Sequence, residues 1–524
     1  MTSRETPPEG ILSPAEELAI RNYLEAKGLP VSEAVTFGDA EAPWSKGEVG
    51  AQDEYSSIRS RRDITDFRAT LARDLVMNIP LLSANMSTVT GAAMAVAMAR
   101  EGGLGCVPQT IPLEDRIRLI ECVRRTDCAL IENPAVISDE RTLAEAKAMI
   151  AELRRNGVDV NSLVAVDNQG RLSGILSRRD YQDEEDETKW VMDLMAQRPY
   201  FIRRREDEPS GEFFERARRL LKERRVEKLP IKNQDGSVGG LFTRRGLLYE
   251  RDHPRVMRDE TGKFMLVASI GVGEFMTPER LREAELQLKA GASAILIDTA
   301  RAFSVNARDV LDAVRVAFPG VPVVIGNTCS PAGAKFLFEH GADAVKVNQG
   351  RGYACRTSDV TPVGVGQLTA IAACSAIAKL YGRRIVADGG MRYPSDMVKA
   401  IMAGADTVMT AYLIAGTDES PTPAYPNKDG FLVKEYKGSA SYDEQRRRIT
   451  EGGLDRVRKA EGVRVEVPAT GTMEEKVADI LGSFASAMSY FGAGSLDELR
   501  ENARFVLQSA AGAEEGTKRS NGAS

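Results

Sequence analysis

From about residue 265 the chain alternates short apolar runs with amphipathic stretches. FMLVASIGV (264–272), ASAILIDTA (292–300), VPVVIGNTC (321–329), ADAVKVNQG (342–350), RRIVADGGM (383–391) and ADTVMTAYL (405–413) are rich in valine, isoleucine and alanine. Near-continuous apolarity over a few residues is the pattern of strands buried on both faces. Between them, TPERLREAELQLKAG, NARDVLDAVRVAF, SPAGAKFLFEHG and PSDMVKAIMAG carry apolar residues at helical spacing, and several stop at glycine, a C-cap signal. Upstream, NIPLLSANMST (78–88), GAAMAVAMAREGG and LGCVPQT add two strands and a helix. About eight strands in strand–helix alternation predict an α/β fold, a closed (β/α)8 TIM barrel. In such a barrel, function sits on the loops that follow the strands. Those loops hold Ser83–Met86, Asp298, Asn327, Gly350–Thr357, Asp388–Gly390 and Ala411–Tyr412.

Residues 125–250 follow a different pattern. VAVDNQGRLSGILSRRD (164–180) and LPIKNQDGSVGGLFTRRG (229–246) repeat one phrase: strand, polar glycine turn, strand, then Ser or Thr and two arginines. Each follows a helical stretch, TLAEAKAMIAELRRNG or EFFERARRLLKERR, so the segment reads as two paired supersecondary units. The expected organisation is barrel over 1–124, a tandem module over 125–250, barrel again over 251–510 and a disordered tail over 511–524.

Composition narrows the chemistry. The 524 residues are 43% hydrophobic and 28% charged, with a net charge of −6, giving no support for nucleic-acid or acidic-membrane binding. No apolar run is long enough to span a bilayer and the N-terminus lacks an apolar signal core. The six cysteines form no CxxC pair, so a disulfide scaffold or zinc site is not indicated, and a reducing cytoplasm is expected. Only two histidines occur, His253 and His340, both read as structural, so acid–base work falls to carboxylates, hydroxyls, lysine, arginine or tyrosine.

The repeat at 125–250 resembles a tandem CBS module, which implies an adenine or guanine nucleotide effector. Ser177 and Asp180 match the part of that motif that holds a ribose, whereas the second copy has Gly246 in place of the carboxylate. A barrel interrupted by such a pair after its second strand resembles the inosine monophosphate dehydrogenase and GMP reductase family. NIPLLSANMSTVT, EGGLG, PVVIGNT, GADAVKVNQGRGYACRT, VGVGQLTA, IVADGGMRYPSDMVKAIMAGADTVM and AGTDES carry the resemblance in order. It implies that Cys355 attacks C2 of a purine nucleotide and that hydride passes through the adduct to or from NADPH, NADH or NAD. A thiolate exposed on a glycine-rich loop suits that role.

Two reactions divide the family. Dehydrogenases carry a long flap with an Arg-Tyr pair that activates water; here YKGSASYDEQRRRITEGGLDRVRKAEGVRVEVPATG (436–471) is short and has no such pair. Its GG…RxxEG…VxVPxxG pattern and the following DILG…S…Y.GA are similar to GMP reductase. That likeness implies NADPH-dependent reduction of GMP to IMP and ammonia, with Thr357 and a loop glutamate managing the proton. Counting back from Gly452-Gly453 places that glutamate at Glu444, with Asp443 as the alternative. The alternative functions are NAD-dependent oxidation of a purine nucleotide, or a nucleotide-sensing pseudoenzyme.

The resemblance further implies that Asp388 accepts the ribose hydroxyls, that Gly389 and Gly390 let backbone approach a phosphate, and that Ser83 and Met86 line the nucleotide pocket. Asp298, Asn327, Gly350 and Gly352 would meet the nicotinamide, and the carbonyls of Gly350, Gly352 and Cys355 would form a potassium site. Homotetramers that pair into octamers are expected. One departure stands out. Tyr353 replaces the serine that binds the 5′-phosphate, and Ala411-Tyr412 replaces a Gly-Ser phosphate element.

Overall fold

The computed structural model describes residues 12–31, 49–51, 56–126, 130–131, 134–155, 162–205, 207–244, 246, 253–273, 277–361, 363–442, 444–446 and 459–507. Asp443 and the tail over 511–524 lie outside the described residues. The chain forms two compact units, one of residues 1–120 with 266–524 and one of residues 121–265.

The larger unit is a closed barrel of eight parallel strands in sequence order: β1 (Leu81–Ser83), β2 (Leu104–Cys106), β3 (Leu266–Ile270), β4 (Ala294–Asp298), β5 (Val323–Thr328), β6 (Ala344–Val347), β7 (Arg384–Asp388) and β8 (Thr407–Thr410). Each lies within an apolar run that the sequence marks as a strand. β3, β6 and β8 are buried along their whole length, as a strand with packed side chains on both faces must be. β8 pairs with β1 in register Val408–Leu81 to Thr410–Ser83, which closes the ring.

The crossover helices include α1 (Ala92–Glu101), α2 (Thr277–Lys289), α3 (Val305–Ala317), α4 (Pro331–Glu339), α5 (Gln367–Tyr381) and α6 (Pro394–Met402). Ser304 and Ser330 cap α3 and α4 by accepting from main-chain N–H groups, and α1 stops at Gly102 in the left-handed conformation. His340 closes α4, where its ring nitrogen lies 2.9 Å from Asp312. α5 has no sequence signal as an amphipathic helix because it is apolar all round. It is buried on every face for most of its length, packed by the N-terminal helix Pro14–Ala26, α4 and β7. A three-stranded antiparallel sheet, Ala424–Pro426, Leu432–Lys437 and Arg464–Pro468, follows β8 and was likewise not foreseen.

The smaller unit contains two similar halves. In one, Val136–Ser138, Ser162–Val166 and Leu172–Ser177 pair edge to edge and helix Leu143–Arg155 packs Leu143, Ala146 and Ile150 into a core with Leu163, Ala165 and Leu176. In the other, Lys228–Lys232 and Val238–Thr243 form a hairpin, and helix Ser210–Arg224 buries Phe213, Ala217 and Leu221 against Leu229, Ile231 and Phe242. Phe242 meets Phe213 and Phe214 edge to face at 5.2 and 5.1 Å, a geometry that the ring quadrupoles favour.

Candidate active site

The loops leaving β1, β4, β5, β6, β7 and β8 converge on one cavity of about 480 Å³ at the C-terminal mouth of the barrel. Met86, Asp298, Asn327, Gly350, Gly352, Tyr353, Cys355, Thr357, Asp388, Gly389, Gly390, Ala411 and Tyr412 all line it. Ser83 does not. It is wholly buried one layer below, its hydroxyl accepting from Thr90 at 2.8 Å, because β1 still runs inside the barrel wall at that point.

The Cys355 thiol donates to the Thr357 hydroxyl at 3.2 Å, and that hydroxyl donates to Glu461 at 2.7 Å. Glu461, not Glu444, is therefore the carboxylate on Thr357. Glu444 is turned away, buried, and accepts from the Ser87 hydroxyl at 2.8 Å. The displacement has a backbone cause. Segment 461–463 lies antiparallel to 354–356: Arg356 N–H donates to the Glu461 carbonyl at 2.6 Å and Val463 N–H to that of Ala354 at 3.0 Å. The approach leaves no room for side chains: a Cβ on Gly462 would stand 2.7 Å from the Ser441 nitrogen, and one on Gly438 2.5 Å from the Ala354 carbonyl. Counting back from Gly452-Gly453 misses this, since the register is set by the strand that follows. The Glu461-Gly462 pair directly before VRVEVP was the available signal.

A second cluster lies deeper. Lys346 sits in β6 with a side chain 3% exposed, 3.0 Å from Asp298 and 2.5 Å from Asp388. Burial pulls its ammonium down, but the two carboxylates outweigh it and hold its pKa above the ordinary value. Asn85 and Gln109 donate to Asp298 at 3.1 and 2.8 Å, and Asn327 donates to Asp388 at 2.8 Å. Both contacts on Asp388 fall on Oδ2, which leaves Oδ1 to accept from a ligand hydroxyl. Lys346 and Gln109 were missed by sequence reasoning, although a lysine inside the apolar run ADAVKVNQG signals a buried partner. The Gly352 carbonyl, one of the expected potassium ligands, accepts the N–H of Cys355 at 3.0 Å. Among the described residues no cluster of three or more His, Cys, Asp or Glu side chains could hold a metal ion.

At the far end of the cavity the Tyr353 and Tyr412 rings lie 4.0 Å apart with planes at 31°. Tyr436, buried and also unforeseen, stacks 6.4 Å from Tyr353, and the Arg392 guanidinium covers the Tyr353 ring at 5.1 Å. In the smaller unit Ser177 and Asp180 meet: the Asp180 carboxylate accepts from both the Ser177 N–H and hydroxyl at 2.7 Å, capping the turn Arg178–Tyr181. No helix among the described residues is long and apolar enough to cross a membrane.

Fold and site together define a (β/α)8 barrel enzyme with a thiol, a hydroxyl and a carboxylate in line at its mouth. The family model for the IMP dehydrogenase / GMP reductase domain matches residues 48–519, and the chain belongs to this family. It is 33% identical to the inosine-5′-monophosphate dehydrogenase of Aquifex aeolicus (strain VF5) over 482 residues, 91% of this chain and 93% of that one. It is 34% identical to that of Streptococcus pyogenes over 455 residues, 85% of this chain and 89% of the relative. Among solved structures it resembles a GMP reductase variant from Trypanosoma brucei in complex with guanosine 5′-monophosphate, with a TM-score of 0.84 and 30% identity. The match covers 95% of this chain and all of that one. The GMP reductase from Trypanosoma brucei in complex with guanosine 5′-triphosphate matches with a TM-score of 0.74 and 28% identity, covering 93% of this chain and 99% of that one. The chain is thus an oxidoreductase of the purine nucleotide class.

Proposed function

We propose that the chain catalyses reductive deamination of a guanine ring at C2, the GMP reductase reaction, with NADPH as reductant. The observation that carries this reading is the line Cys355–Thr357–Glu461, in which each donor already points along the path a proton must take. The thiol proton moves through the Thr357 hydroxyl to Glu461 as the sulfur attacks C2. The same relay then returns it to the C2 amino group, which leaves as ammonia while the carbon–sulfur bond remains. NADPH, when bound, supplies the hydride to C2 that releases the sulfur as thiolate. The balance is guanine ring + NADPH + 2H⁺ → hypoxanthine ring + NADP⁺ + NH₄⁺.

Asp388 Oδ1 receives the ribose hydroxyls, and Lys346 holds Asp388 and Asp298 at fixed separation between substrate and nicotinamide ends. The residues present suit a nicotinamide cofactor: Asp298, Asn327, Thr299 and Arg301 offer polar groups along the cavity wall. The smaller unit would take an adenine or guanine nucleotide at Ser177 and Asp180 as an effector.

The competing reading is dehydrogenation of a purine nucleotide with NAD, the activity named for the curated relatives. Against it, the chain's sole Arg-Tyr dipeptide is Arg392-Tyr393, and both N–H groups are held by Asp396 at 2.7 and 3.0 Å at the start of α6. The test is to follow nicotinamide absorbance with guanine substrates plus NADPH and with hypoxanthine substrates plus NAD. Oxidation of NADPH with stoichiometric ammonia supports the proposal. Reduction of NAD without any reverse activity overturns it. Cys355→Ala should abolish turnover and any protein–purine adduct seen by intact mass.

A further inference from the structure

The tyrosine end of the cavity is poorly suited to a dianion. Tyr353 and Tyr412 fill the gap between the β6 and β8 loops with two rings whose centroids lie 4.0 Å apart. Four main-chain N–H groups beside the tyrosines are already engaged within the protein. Gly389 donates to the Met409 carbonyl at 3.1 Å, Arg351 to the Asn348 side chain at 3.2 Å, and Arg392 and Tyr393 to the Asp396 carboxylate. Among the described residues the lining offers no cation at this end. Its carboxylates are Asp298, Asp388 and Glu461; of its two cations, Lys346 is bound to the first two and Arg301 lies on the β4 loop at the opposite side. The Arg392 guanidinium covers the Tyr353 ring at 5.1 Å and is not among the residues that line the cavity.

We propose that the preferred substrate has an uncharged 5′ end, a purine ribonucleoside, with the Tyr353–Tyr412 pair as the specificity-determining wall. The base end and Asp388 are unchanged by this, so Cys355 still meets C2 and the ribose is still held. What changes is the end group. A 5′-hydroxyl can bond to a tyrosine hydroxyl and its methylene can lie on the rings, whereas a phosphate dianion would lose its water for two neutral hydroxyls and the apolar faces of two rings. The assignment rests on the reductive reading for the base and alters only what the ribose carries at its 5′ carbon.

Two measurements keep the readings apart. Calorimetry with inosine and with IMP reports end-group preference without any chemistry. Steady-state kinetics with guanosine and with GMP, each with NADPH, reports it for turnover. The expected result is inosine bound at least about tenfold more tightly than IMP, and guanosine ahead of GMP by a similar factor in kcat/KM. The double variant Tyr353→Ser with Tyr412→Ser should reverse the order, gaining about tenfold or more for the monophosphate as charge-assisted hydrogen bonds become available. The double variant Tyr353→Phe with Tyr412→Phe keeps the rings and should keep the wild-type order. Tighter binding of IMP than inosine by the wild type overturns the proposal, as does loss of monophosphate binding on removal of the two hydroxyls. Tighter inosine binding with no NADPH oxidation supports the end-group assignment and sinks the reductive reading instead.

Discussion

Replacing Glu461 by glutamine separates the two candidate carboxylates with almost no steric change. The main-chain bond from Arg356 N–H to the Glu461 carbonyl is untouched, so segment 461–463 stays docked on the cysteine loop. What is lost is the proton acceptor 2.7 Å from the Thr357 hydroxyl. A positioned general acid–base group contributes about 10²- to 10⁴-fold, equivalent to about 2.7–5.4 kcal/mol of barrier at 1.36 kcal/mol per decade. Ammonia release should therefore fall by about that factor, while KM for the purine changes only a few-fold. Glu444→Gln is the matched control. Its buried carboxylate accepts from Ser87 and not from Thr357, so the change costs about 1–3 kcal/mol of stability and leaves the proton path intact. Rapid-quench measurement of ammonia together with intact-mass detection of the Cys355 adduct reads both effects. Normal ammonia release in the Glu461 variant, with loss in the Glu444 variant, would refute the relay and restore the assignment made by counting along the loop.

Gly462→Ala should lower kcat about 10²-fold, because its Cβ would stand 2.7 Å from the Ser441 nitrogen, so that residues 438–441 and segment 461–463 must shift and carry Glu461 with them; an unchanged kcat would show that this packing does not matter. In the smaller unit Asp180→Ala should weaken adenine or guanine nucleotide binding at least about tenfold and loosen the turn it caps; calorimetry with ATP and GTP showing equal affinity would move that site elsewhere. Glu208, bonded by Arg216 at 2.8 and 2.7 Å and by Arg205 N–H at 3.0 Å, is held down to about 2 by those donors. Its stabilisation is complete above the ordinary glutamate range and lost as pH falls from about 4.5 toward 2. Glu208→Gln should thus lower the melting temperature at pH 6 by more than at pH 3, and an equal penalty at both pH values would exclude the ion pair as the cause.

The strand runs and the amphipathic helices were legible because burial on both faces and burial on one face leave different periods in a sequence. That sufficed for eight strands, their order and the loops at the mouth, and hence for Cys355, Thr357, Asp298, Asn327 and Asp388 as neighbours. The all-apolar α5 escaped because burial on every side erases the period. Tyr353 and Tyr412 were visible as departures, but their stacking was not, since β6 and β8 are about sixty residues apart in the chain and two strands apart in the barrel. The Lys346 bridge between Asp298 and Asp388 likewise joins three strands whose order sequence can suggest but whose side-chain reach it cannot measure. Local pattern determined the barrel and most of the mouth. Which glutamate meets Thr357 was decided only in the folded chain, where Gly438 packs on the Ala354 carbonyl, Gly462 on Ser441, and segment 461–463 bonds to 354–356 and so sets Glu461 on the Thr357 hydroxyl. Such a close backbone approach depends on contacts a hundred residues apart, and no local periodicity records it.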